Sequence, residues 1–457
     1  MNFSAMKLHR IAATGLLLGL AALPLSAQTA EIFRPDGQPD PSFDVPEGLT
    51  LKYALAFALD NNFAIRQAKE RIRQQEGVVL EVKSSQIPNV SASGGYSRNA
   101  DEISTNGYDY TWSFGITARQ VLYSGGGVSA SVRGQEAARE AAILALQAVI
   151  NDALLDVRTK FYTVIVNRER IKVQEQNVQL LERQLQDVKN RYEAGTVSNF
   201  EVLRAEVALA NAQPALIRAR NEFRNAIEDL RQALGFVTAT EPNVTKLPEF
   251  IGQLEFKPAE FDLRSSLATA REKRPDLLRL GKLETAAAEG VTARRANYYP
   301  DVSLFGSYDW RKAPLSSTSG STRDGWTVGL QSTWDIFDGR ATAGRVAQAR
   351  SLLEQARLAL GDAQLAVDVE VRRTISSLQE ANELAAASEK VVAQAEESLR
   401  LANARFSAGS ATQLDVLTAQ TELTTARLNQ LQAYYSHTIA VARVRKALGL
   451  PDELAAQ

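Results

Sequence analysis

The chain has 457 residues, and its 52 lysines and arginines nearly cancel its 53 aspartates and glutamates, so bulk nucleic-acid binding is not indicated. It has no cysteine and two histidines, His9 and His437. That excludes disulfides, thiolate metal sites and a cysteine nucleophile, and leaves little for histidine-based acid–base or metal chemistry.

The N-terminus reads as a secretory signal over 1–27. Lys7, His9 and Arg10 precede an apolar run from Ile11 to Leu25, too short for a membrane-spanning helix. A lead-in over 28–48 follows. Beyond it, the chain says nearly everything twice. SSQIPNVS at 84–91 returns as ANYYPDVS at 296–303, and VLYSGG at 121–126 as DIFDGR at 335–340. VRTKF at 157–161 faces VRRTI at 371–375, and ALGF at 233–236 faces ALGL at 447–450. RYEAGTVSNFEVLRA at 191–205 faces RFSAGSATQLDVLTA at 405–419. Two copies of one unit are expected, 49–236 and 262–450, with a linker at 237–261 and a tail at 451–457. A period this long is a duplicated half, not a solenoid repeat.

Each unit opens with a helical stretch, 49–87 or 262–298, closed by Pro88 or Pro300. Two strands follow, expected at 88–98 and 108–122, then at 300–311 and 325–337. Tyr108, Tyr110, Trp112, Phe114, Ile116 and Ala118 alternate with polar residues, as do Trp326, Val328, Leu330, Trp334 and Ile336. This is period-two patterning. All four tryptophans, Trp112, Trp310, Trp326 and Trp334, fall in these predicted strands and form a candidate membrane aromatic belt. Four strands are too few to close a membrane barrel, and lipid does not tolerate open edges, so oligomerisation is expected. The glycine-bearing turns SGGG at 124–127 and DGRATAG at 338–344 lack a following Gly-Lys-Ser/Thr and read as strand-to-helix turns.

From about 128 to 193 and from 341 to 407 the chain lacks proline, which predicts two helices of about 100 Å. Ile171, Val178, Leu181, Leu185, Val188 and Tyr192 make a heptad-like seam, matched by Ala385, Val392, Ala395, Leu399, Ala402 and Phe406. Val202, Ala205, Leu209, Ala212, Leu216, Ala219, Phe223, Ala226 and Leu230 continue it on the first return helix, which Pro214 is expected to bend. His437 lies on the equivalent seam of the second return helix and reads as structural. The tips, 194–200 and 408–414, carry Gly195 and Gly409 as helix C-caps, with Arg191 and Arg405 in the last turns. Ser198 and Thr412 are candidate N-caps, with Glu201 and Asp415 completing capping boxes.

The duplicated halves, the helix–Pro–strand–strand–long helix order and the two Ala-Gly tips followed by acid-Val-Leu resemble the TolC-like outer-membrane efflux proteins over about 49–450. The resemblance implies all-α long-helix bundles plus transmembrane β-strands, as a trimeric twelve-stranded outer-membrane β-barrel continued by a periplasmic α-helical barrel. It implies a homotrimer in outer-membrane lipid, working with a periplasmic adaptor protein and an inner-membrane pump of RND type or an ABC exporter, as exit duct for efflux or type I secretion. It requires no cofactor, metal or nucleic acid. By the same resemblance the adaptor docks at Gly195, Thr196, Val197, Gly409, Ser410 and Ala411, and Glu201, Asp415, Phe406 and Tyr192 form the gate at the channel mouth. The family's next acid, one turn beyond Asp415, is absent, since position 418 is threonine; Ala411 stands where the best-known member has a basic residue. Two alternatives remain open: a periplasmic adaptor, which also has long hairpins but not Trp-marked strand pairs, and a periplasmic enzyme, for which no polar constellation is visible.

Overall fold

The computed structural model describes residues 48–98, 100, 110–235, 249–312, 322–452 and 454. The signal-like segment, the lead-in up to residue 47, most of both strand-connecting loops and Tyr108 lie outside the described residues. The first half runs β1 (Gly48–Thr50), α1 (Leu51–Asn61), α2 (Phe63–Lys83), β2 (Asn89–Arg98), β3 (Tyr110–Ser124), α3 (Gly127–Glu193) and α4 (Asn199–Leu234). The second runs β4 (Glu249–Ile251), α5 (Leu263–Lys273), α6 (Pro275–Arg295), β5 (Asp301–Lys312), β6 (Thr322–Thr333), α7 (Ala341–Ser407) and α8 (Gln413–Ala447). β4, inside the expected linker, pairs in parallel with β1.

The opening helical stretch of each half is two helices rather than one. At Asn62 the backbone leaves the helix (φ −62°, ψ 125°), and the side-chain oxygen accepts from the N–H groups of Ala64 and Ile65. Asparagine is a strong N-cap, so it ends one helix by starting the next. Its Nδ2 donates to the carbonyl of Ala233 at 2.7 Å. In the second half Pro275 imposes the break, because proline disfavours helix at the preceding Arg274, which sits at φ −66° and ψ 121°. Arg274 reaches Asp276 and Glu370, and more weakly the Ala447 carbonyl. Against each break lies a glycine in the left-handed region, Gly235 at φ 79° and Gly449 at φ 69°. These are the glycines of the repeated ALGF and ALGL.

α3 and α7 each span 67 residues. They form hairpins with α4 and α8, and α3 packs on α8, which gives the helical order α4–α3–α8–α7 with α4 and α7 on the flanks. The predicted seam is buried at Val178, Leu181, Val188, Ala385, Ala395 and Leu399 and along most of α4, where alanines let helices approach closely. α4 runs unbroken through Pro214. The largest core joins α1, the middle of α3 and the end of α4, around Leu55, Phe161, Ile165, Leu230 and Phe250. Its counterpart joins α5, α6, α7 and α8 around Val371, Leu378 and Val444.

The four membrane-type strands form one antiparallel sheet in the order β2–β3–β5–β6, leaving β2 and β6 as edges. Its register sorts the faces. Val90, Ala92 and Tyr96 align with Ala118, Ile116 and Trp112, and Phe114, Ile116 and Ala118 align with Trp310, Tyr308 and Gly306. Tyr308 and Leu304 align with Trp326 and Leu330. One face is therefore apolar and aromatic yet uncovered, with Trp326 74 % exposed. The other carries Ser91, Ser93, Ser113, Thr117, Ser307, Thr327 and Gln331. A bulge between Val121 and Tyr123 turns Tyr123 onto the apolar face. Trp112, Trp310 and Trp326 gather at the loop end of the sheet. Trp334 departs from expectation: β6 begins at Thr322 and stops at Thr333, so Trp334 and Ile336 lie beyond it. The Trp334 ring N–H donates to the Tyr298 carbonyl at 3.1 Å, which draws it toward the 3₁₀ turn preceding β5, at the helical end of the sheet.

Candidate functional site

The two hairpin tips are built alike. Gly195 and Gly409 adopt φ 74° and 72°. The N–H groups of Gly195 and Thr196 donate to the carbonyls of Tyr192 and Arg191, both at 2.9 Å. Those of Gly409 and Ser410 donate to Phe406 and Arg405 at 3.1 and 2.9 Å. This pairing closes a helix with a left-handed residue, which glycine adopts without a Cβ penalty. The hydroxyls of Thr196 and Ser410 add a second bond to the same carbonyls. A Cβ on either glycine would meet nothing within 4 Å. The backbone, not crowding, requires glycine there, and the surface around both tips is open.

The return sides differ. Thr412 and Asp415 form the complete capping box: the carboxylate accepts from the Thr412 N–H and hydroxyl, both at 2.8 Å. The bond from the Thr412 backbone, then its hydroxyl, and the nearby Arg405 charge hold the Asp415 carboxyl below the usual carboxylate range. The box is therefore intact above that range and is lost as pH falls through the lowered value. The expected twin is absent. Ser198 makes no side-chain cap bond, and one oxygen of Glu201 is buried without a hydrogen-bond partner. Serine leaves that side of the tip to backbone bonding alone, from the Glu201 N–H to the Ser198 carbonyl at 3.1 Å.

Tyr192 is 47 % exposed, whereas Phe406 packs partly buried beside Leu399 and Val416. The guanidinium of Arg191 lies 4.7 Å above the Phe406 ring and ties the first tip to the second by a cation–π contact. Sequence spacing could not reveal this contact, because it joins the last turn of α3 to the last turn of α7, in different hairpins. Between α3 and α8, Gln420 and Thr424 donate to the Asn177 side chain at 3.0 and 3.2 Å. Gln184 on α3 and Gln413 at the start of α8 are partnerless and buried through their amides.

His437 is buried between Phe256, edge-on at 4.9 Å, and the wall of a cavity that also includes Arg158, Tyr162 and Asp452. Among the described residues no cluster of three or more potential ligands is placed to hold a metal ion.

The family model for outer membrane efflux proteins matches residues 55–236 and 267–450. Protein CyaE of Bordetella pertussis is 27 % identical over 415 residues, covering 90 % of this chain and 85 % of CyaE. Outer membrane efflux protein BepC of Brucella suis is 25 % identical over 407 residues, covering 88 % and 85 %. Among solved structures, CusC, described for its transmembrane channel formation, aligns with a TM-score of 0.76 at 19 % identity, covering 88 % of this chain and 92 % of CusC. The family match thus spans both strand pairs and both hairpins, and the chain belongs to the outer membrane efflux protein family.

Proposed function

We propose that three copies of this chain close into one duct, a twelve-stranded barrel in the outer membrane continued by a periplasmic helical tunnel built from the two repeated halves. The observation that carries this is the four-stranded sheet with an uncovered aromatic face and two unpaired edges. Unpaired backbone in hydrocarbon costs several kcal/mol per group, and known barrels begin at about eight strands. Pairing β6 of one copy with β2 of the next removes every edge, and the same rotation brings α7 of one copy to α4 of the next. The uncovered apolar face argues against a periplasmic adaptor, which would have to keep it in water. Mass measurement in detergent is expected to give a trimer; a folded, stable monomer would overturn the reading.

The duct accepts cargo from a periplasmic adaptor and an inner-membrane pump, RND-type or ABC exporter, at the tips farthest from the barrel. Gly195, Thr196, Val197, Gly409, Ser410 and Ala411 form the docking surface, which is open around both glycines. Tyr192, Phe406, Glu201 and Asp415 form the gate, with Arg191 over Phe406 as its latch. Three copies gather the carboxylates of Glu201 and Asp415 around one mouth, where their field draws cations. Combining Glu201→Gln with Asp415→Asn is expected to lower cation selectivity several-fold in single-channel recordings. Unchanged selectivity in folded trimers would leave Asp415 with only its capping role.

A further inference from the structure

The polar face of the strand sheet holds two cations in an unfavourable arrangement. Arg311 of β5 and Arg323 of β6 are direct partners in the antiparallel register. Ser113 of β3 and Gly95 of β2 complete their row. Both arginines are exposed, and neither has a partner among the described residues. The next row of the same face holds a carboxylate, Asp309, but no bond joins it to either arginine. Its Oδ2 accepts from the Ser307 hydroxyl at 2.8 Å. Its Oδ1 leans over Gly115, where a Cβ would stand 2.6 Å away. Like charges directly opposite on a ladder disfavour strand pairing. The pair therefore opposes the sheet it stands on and gains no internal contact in return.

We propose that Arg311 and Arg323 form a binding ring for multivalent oxyanions just inside the outer mouth of the channel. This rests on the trimeric barrel reading, which turns the polar face to the lumen and repeats the pair in every subunit. Gly95 and Ser113 are too small to fill the lumen at that level, so the guanidinium groups stand in open water between low-dielectric walls, which focus their field. A ring of arginines selects anions, and the guanidinium fork matches paired oxygens of phosphate or carboxylate groups. The ring lies at the opposite end of the duct from the acidic mouth at the tips. Cargo would meet carboxylates on entry and guanidiniums on exit.

The test is block of the reconstituted trimer by inositol hexakisphosphate added on the side of the strand-connecting loops. Wild-type current should be blocked, and the block should weaken with salt. Arg311→Gln with Arg323→Gln should raise the half-blocking concentration at least about tenfold, each single change giving an intermediate shift. Lysine at both positions should retain most of the block, because the charge is kept. Equal block in wild-type and double-glutamine channels overturns the ring and leaves the barrel reading intact. A folded, stable monomer in detergent overturns the barrel reading and the ring with it.

Discussion

Gly449→Val is expected to leave almost no folded protein in the outer membrane, and Gly235→Val to do the same from the other half. Both glycines hold a left-handed backbone, at φ 69° and 79°. A side chain in that region costs about 1–2 kcal/mol before any contact is considered, and β-branching makes it worse. Contact makes the larger difference. A Cβ on Gly449 would stand 2.8 Å from the Lys273 carbonyl oxygen and 2.9 Å from the Arg274 Cα. One on Gly235 would overlap the Asn61 carbonyl. These are backbone atoms at the breaks between α1 and α2 and between α5 and α6, and no rotamer change relieves them. Together the effects should exceed about 3 kcal/mol, which places them among the severe single substitutions. Gly339→Ala is the control. That glycine has φ 66° but open space around it, so only the local strain is charged against stability. Comparing trimer yield and thermal midpoint separates the cases; wild-type yield and melting for Gly449→Val would refute the packing argument.

The repeat was legible from ALGF and ALGL, but their purpose was not. Alternation in the strands and the heptad spacing of the seam follow from side-chain periodicity, which survives without knowledge of neighbours. The breaks at Asn62 and Arg274 are set by a cap and a proline, and Gly235 and Gly449, just beyond α4 and α8, pack against them. They were hidden inside stretches that read as continuous amphipathic helix, although Pro275 marked one of them. Trp334 was misplaced because alternation continues past the end of β6, while the backbone leaves the ladder at Thr333. At the tips, glycine, arginine and acid positions were readable because caps are local. Ser198 and Thr412 looked equivalent, yet only Thr412 bonds its acid. The Arg191–Phe406 contact joins residues from different hairpins and left no local trace.

Gly195→Arg or Gly409→Arg is expected to abolish export while the trimer still assembles. The space around each glycine is empty, so arginine adds left-handed strain of about 1–2 kcal/mol at an exposed helix end and clashes with nothing within the chain. The two larger cores, around Phe161 and Val371, and the strand pairing include neither tip and should be unaffected. A long cation now protrudes from a surface otherwise made of Thr196, Val197, Ser410 and Ala411. Close end-to-end packing with a partner's helices is then blocked sterically, and desolvating the new charge raises the cost. Site-specific crosslinking to the adaptor should fall to background, with trimer mass and heat stability close to wild type. Normal crosslinking and normal export would reduce both glycines to helix caps.

The unpaired edges of β2 and β6 also have a genetic consequence. In the barrel of three copies proposed above, each subunit completes its neighbours, so one faulty edge opens the whole ring. When normal and edge-defective subunits are made in equal amounts and mix freely, only about one ring in eight is wholly normal. An allele that breaks the Thr322–Thr333 edge yet leaves the rest of the subunit folded should therefore behave as dominant, whereas an allele that prevents folding should be recessive. Inheritance pattern would thus sort lesions of the seam from lesions of the subunit before any protein is purified.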